Sequence, residues 1–180
     1  SLEELLDRLR KLNETVIRDM ERVLKELEER NRKVIKEDRD VLEELARRNE
    51  KVKRDIPPDD ELRKLAEDLE RHLRDWEDKS RKLEERLRRH LKEVKETIEK
   101  IEEELKEHLR DVERKIREGT DEEIAKELVK HNEKKVREIK KTIDDLRKHN
   151  EELVKEIRET SERLREHNER LLREALRRAK

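Results

Sequence analysis

The chain is expected to be all-α, an antiparallel bundle of three long, nearly straight helices. Three observations carry that expectation. Charged residues make up 58% of the 180 residues and apolar ones 29%, yet Leu, Ile and Val recur at helical spacing from Leu2 to Leu176. A Glu-, Lys-, Arg- and Leu-dominated composition with that period marks bundled helices rather than a disordered polyampholyte. The strong helix breakers are confined to two places, Pro57-Pro58 and Gly119. The apolar positions also repeat every 18 residues: Leu9, Leu27 and Leu45; Val16, Val34 and Val52; Leu69, Leu87 and Leu105; Leu128, Leu146 and Leu164. Eighteen residues are about five turns at 3.6 residues per turn, so the repeat keeps to one face without the supercoil that a seven-residue repeat imposes.

The first helix is expected over about 2–55, opened by a capping box of Ser1 and Glu4. Pro57 disfavours helical geometry at Ile56, while Pro58 and Asp59 suit a new start. The second helix is expected over about 59–117, stopped by Gly119 as a left-handed residue. Thr120 and Glu123 suggest a second capping box, with the third helix over about 121–178. Two short connections imply antiparallel neighbours. Each apolar stripe spans about 120–140°, the width a helix needs when it touches two others. One domain over 1–180 therefore satisfies all three stripes with no partner chain, and a monomer is favoured over a homo-oligomer. A wider stripe would be needed for an unfinished bundle awaiting a fourth helix.

Polar residues stand in the same ladder. Asn13, Asn31 and Asn49 are 18 apart, as are His72, His90 and His108, and as are His131, His149 and His167. Each histidine of the last set is followed by an asparagine, Asn132, Asn150 or Asn168. His108 and His131 lie equally far from the turn at Gly119-Thr120, and so do His90 and His149, and His72 and His167. An antiparallel hairpin sets each such pair at one height, which predicts three buried His–His layers about 27 Å apart. The asparagines are expected to extend these layers as buried hydrogen-bond networks, with Ser80, Thr142 and Thr160 as further candidates.

Neutral imidazole has one donor and one acceptor and Asn can do both, so the two residue types can satisfy each other. Burial depresses a histidine's folded-state pKa below the ordinary value of about 6.5. Stability would then be complete above that value and lost as pH falls through it, about 1.4 kcal/mol for each unit of displacement. These residues are thus expected either to fix register alone or to act as a pH-responsive element that loosens on protonation.

Lys130-His131-Asn132-Glu133, Lys148-His149-Asn150-Glu151 and Glu166-His167-Asn168-Glu169 resemble the periodic His-Asn layers of de novo designed helical bundles with buried hydrogen-bond networks. Some of that class are pH-responsive homotrimers of helical hairpins, in which histidine protonation drives disassembly and can expose membrane-active apolar surface. The resemblance implies a designed scaffold with a protonation step at the six histidines. This chain has three long helices with histidines on two of them, which points to a single-chain bundle instead of a hairpin trimer.

Other functions find little support in the residues. Fifty-two basic and 53 acidic residues are mixed throughout and give no field for nucleic acid. No run approaches the roughly 20 apolar residues of a membrane span, so no membrane partner is expected at neutral pH. No signal-peptide pattern opens the sequence and no compartment is assigned. With no cysteine, metal binding would fall to paired histidines, a zinc-binding designed bundle being one alternative and a subunit of a designed helical oligomer another. Leu69, Leu73, Leu164 and Leu171 fill the space that a haem between paired histidines would need. No cofactor is expected. No Ser–His–carboxylate arrangement or phosphate loop stands out, so no enzyme activity is expected. Spectrin-like repeats share the three-helix plan but carry heptads and more aromatics; here the single aromatic, Trp76, shares a ladder with Val94 and Val112 and is expected in the core.

Overall fold

The computed structural model of the protein describes residues 1–179. It is an all-α antiparallel three-helix bundle in which each helix packs against the other two. Helix α1 spans Leu2–Asp55, α2 spans Asp60–Arg117 and α3 spans Glu122–Ala179.

The ends follow local chemistry. Ser1 Oγ accepts the Glu4 N–H at 3.3 Å, the cap expected for α1. Asp59 is the N-cap of α2: its Oδ1 accepts from the Glu61 N–H at 2.9 Å, and the helix begins one residue later than the sequence suggests. Gly119 lies at φ 91°, and the N–H groups of Gly119 and Thr120 return to the carbonyls of Ile116 and Lys115 at 3.3 and 3.1 Å. That pair of bonds closes α2 as a Schellman motif. It also corrects the expected cap of α3. Thr120 Oγ1 is turned back onto the Lys115 carbonyl, so Asp121 takes over and accepts the Glu123 N–H at 3.4 Å.

The chain packs as two compact units, each built from a segment of all three helices. Unit 1 comprises residues 1–28 and 90–150, and unit 2 comprises, among the described residues, 29–89 and 151–179. In unit 1, Val16, Met20, Val23 and Leu27 of α1 meet Val94, Ile98 and Leu105 of α2 and Val136, Ile139 and Ile143 of α3 in one apolar cluster. In unit 2 a smaller cluster joins Val34, Leu87, Leu153, Val154 and Ile157. Trp76 is fully buried in unit 2, while Val94 and Val112 of its ladder are buried in unit 1.

Within each unit α1 and α3 run parallel in a fixed register. Asn13 of unit 1 and Asn49 of unit 2 each meet the residue 119 further along the chain. The exposed pairs Glu26–Arg147 and Arg30–Glu151 are both 121 apart. A constant offset is what an 18-residue repeat produces when both helices keep the same period.

Candidate functional site

The asparagines are the buried members of the polar ladders. Asn13 and Asn132 exchange amide hydrogen bonds in unit 1, Nδ2 to Oδ1, at 3.3 and 2.7 Å. Asn49 and Asn168 do the same in unit 2 at 3.0 Å in both directions. Each primary amide meets a matching donor and acceptor, which satisfies a group that costs roughly 1–3 kcal/mol when buried alone. Asn31 and Asn150 are equally buried, 3% and 0% exposed. The α1 asparagines therefore align with α3. Asn132 directly follows His131 and Asn168 directly follows His167, so each asparagine pair stands at the level of a histidine pair, as expected.

The histidines meet in the pairs that the turn geometry suggests. In unit 1, His90 and His149 have ring centroids 4.6 Å apart, and His108 and His131 5.8 Å, both edge to face. In unit 2, His72 and His167 lie 4.4 Å apart, also edge to face, and His72 touches Trp76 at 6.4 Å.

Burial is unequal across each pair. His90 is buried and His72 and His108 are half-buried, but His131, His149 and His167 are exposed. The expected three layers of fully buried histidine are corrected to three half-open ones. Successive residues of a helix lie about 100° apart. With Asn132, Asn150 and Asn168 pointing inward, the histidine just before each is rotated to the rim.

The hydrogen bonds differ from expectation too. His72 Nε2 donates to the Leu164 carbonyl at 3.1 Å, and His90 Nε2 to the Leu146 carbonyl at 3.2 Å. Each carbonyl belongs to the residue three before the facing histidine. Its other lone pair serves the α-helical bond four residues on, so the imidazole takes the free one. His108 Nε2 is buried beside the corresponding Leu128 carbonyl without a well-formed bond. Because His72 and His90 donate through Nε2, protonation at Nδ1 does not break these bonds. A proton on a ring is opposed instead by desolvation and by charge facing charge.

Those causes act on His90, His108 and His167. Burial lowers the His90 pKa, with repulsion from His149 adding and the Leu146 carbonyl and Glu93 opposing. Burial also lowers that of His108, helped by Lys135 and His131 against Asp111 and Leu128. His167 is lowered by burial, then by His72 and Arg170. Thr142 and Thr160 play no part: the Thr142 hydroxyl bonds the Glu138 carbonyl of its own helix and Thr160 accepts from Arg163.

No protein-family profile, curated protein or solved structure matches the chain. The site must therefore be read from its chemistry alone. Each layer brings two imidazoles together, and the described residues hold no cluster of three or more His, Cys, Asp or Glu arranged for a metal. Structural zinc takes four ligands. No described helix is long and apolar enough to cross a membrane.

One buried polar group was legible only in part. Ser80 of unit 2 donates to Asp38 Oδ2, and Asp38 is also within hydrogen-bonding reach of Ser161 and Glu84. Among these only Ser80 stands out in a search for polar ladders. The signal for the rest is the reverse one, an apolar ladder broken once: Leu2, Met20, Asp38 on α1 and Ile143, Ser161, Ala179 on α3.

Proposed function

We propose that the chain is a designed helical scaffold whose half-open histidine layers loosen the bundle on acidification, with no natural catalytic activity and no obligatory partner. The observation that supports this reading most is the recurrence of one motif at three heights. At each, an α2 imidazole sits beside an α3 main-chain carbonyl and edge-on to a second imidazole, at 18-residue steps. A strict period across both helices is how a repeated unit is written into a sequence. The asparagine pairs fit the same plan, as buried polar groups that fix which helix faces meet.

The sign of the response follows from burial. A histidine whose folded-state pKa lies below its ordinary 6.5 binds its proton more readily in the opened chain. Its stabilising contribution is whole above pH 6.5 and is lost as pH falls from there through the folded value. Protonated layers would also set two imidazolium ions edge to edge.

Helical circular dichroism and sedimentation from pH 7 to 4, in denaturant near the unfolding midpoint, test the reading. The expected result is a fall in helicity below pH 6.5 that disappears when all six histidines are replaced by Asn. A transition of equal size in the histidine-free variant, or no transition at all, would sink it.

A further inference from the structure

The one layer of unit 2 that departs from the repeat involves all three helices. Asp38 follows Leu2 and Met20 on the α1 ladder, Ser80 interrupts the α2 ladder between Leu62 and Ile98, and Ser161 interrupts the α3 ladder between Ile143 and Ala179. These three positions meet. Ser80 Oγ donates to Asp38 Oδ2, and the same carboxyl is within hydrogen-bonding reach of Ser161 and of Glu84. Asp38 and Ser80 are each 4% exposed and Glu84 5%.

Asp38 and Glu84 are two buried carboxyl groups within reach of each other, and their neighbours decide where a proton taken up from solvent would go. Glu84 has cations of its own, Arg39 Nη2 at 3.2 Å and Arg88 Nη2 at 3.9 Å. Asp38 has hydroxyls as its direct donors, and Arg39 acts on it as a weaker, through-space influence. On the α3 side, Arg158 is engaged by Glu37 at 3.7 Å, and Glu162 and Arg165 line the groove beside Asp38. The proton belongs on Asp38. Burial raises its carboxyl above the ordinary aspartate value, and the hydroxyls, Arg39 and Glu84 offset this only in part.

We infer that Asp38, buried and bonded to Ser80 beside Ser161 and Glu84, forms a proton-accepting layer that tightens unit 2 on acidification, opposite in sign to the histidine layers. Asp38 takes one proton from solvent and becomes a neutral carboxyl that still accepts from the Ser80 hydroxyl. No heavy-atom bond changes. The folded chain binds this proton at a higher pH than the unfolded chain, so folding strengthens as pH falls through the folded titration. The gain is complete below about 3.8, the ordinary value.

The test compares the full chain with Asp38→Asn, which keeps shape and hydrogen bonding but cannot titrate. Unfolding is followed by denaturant at pH 7 and pH 4. The histidines titrate in both proteins and cancel, so the outcome does not depend on the histidine reading. The variant's stability advantage over the parent should be larger at pH 7 than at pH 4. The change is about tenfold in the ratio of unfolding constants for each pH unit by which the folded titration is displaced. A ratio that does not change with pH, or changes in the other direction, overturns the inference. Should the variant fail to fold, carbonyl 13C NMR of the unaltered chain decides. An Asp38 carboxyl titrating clearly above the free value of about 3.9 supports the layer, and one at or below it does not.

Discussion

In unit 1 the apolar residues from Val16 to Leu27, Val94 to Leu105 and Val136 to Ile143 close into a single cluster, and its polar insertions are two histidine pairs, the Asn13–Asn132 pair and Asn150. Unit 2 uses the same three helices and the same period. Its apolar cluster is smaller, a fully buried Trp76 replaces a ladder valine, and Asp38, Ser80, Ser161 and Glu84 stand where the repeat calls for carbon on at least three rungs. The most buried histidine, His90, and the half-buried His108 both lie in unit 1, with burial lowering the pKa of each. In unit 2 the lowered histidine is His167, on the exposed rim, while Asp38 is displaced in the opposite sense. On the two proposals above, one repeat carries acid responses of opposite sign when single rungs are changed.

The largest effects should come from the cores. Trp76→Ala should destabilise unit 2 by about 3–5 kcal/mol, and Leu105→Ala should cost unit 1 about 2–5 kcal/mol, because neither site can collapse around the cavity. Chemical denaturation reads the total. Hydrogen exchange by segment shows which unit opens, and equal loosening of both units by either change would break the distinction between them.

Next in size are the asparagine pairs. Asn13→Ala leaves Asn132 buried without its partner and should cost about 1–3 kcal/mol, as should Asn49→Ala in unit 2. Replacing both members, Asn13→Leu with Asn132→Leu, should recover most of that loss. If the double variant is no better than the single one, the reciprocal amide bond is not what holds the pair.

The histidines sharpen the comparison further. His90→Gln with His108→Gln should remove more of the acid-induced loss of stability than His72→Gln with His167→Gln, since desolvation acts most on the buried rings. For scale, each unit by which a pKa is displaced corresponds to about 1.4 kcal/mol. Denaturant midpoints at pH 7 and 5 measure both double variants. A greater loss of acid response from the unit 2 pair would reverse the assignment.

Surface charge should matter least. Arg86→Ala removes the exposed pair with Glu156, 3.1 Å apart, and should change stability by less than about 1 kcal/mol, an effect that added salt erases.

Much of this was legible in the residues. Pro57, Pro58 and Gly119 set the breaks, and equal distances from the second turn brought His72 to His167, His90 to His149 and His108 to His131. Burial was legible less well, because a position on the edge of a stripe does not say whether a ring turns inward. His149 and Asn150 compete for one interior direction, and asparagine, the residue nearer the centre of the stripe, takes it. His72 and His90 on α2 have no such competitor and bond a main-chain carbonyl, an acceptor that side-chain patterns do not reveal. Asp38 was hidden for another reason: among so many acidic residues, a carboxylate draws notice only when its own ladder is checked rung by rung.

Hydrogen exchange measured by segment at pH 7 and pH 5, corrected for the intrinsic effect of pH, tests the central contrast most directly. The account predicts that protection falls more in residues 1–28 and 90–150 than in 29–89 and 151–179. An equal fall in both units, or an earlier fall in unit 2, would contradict it.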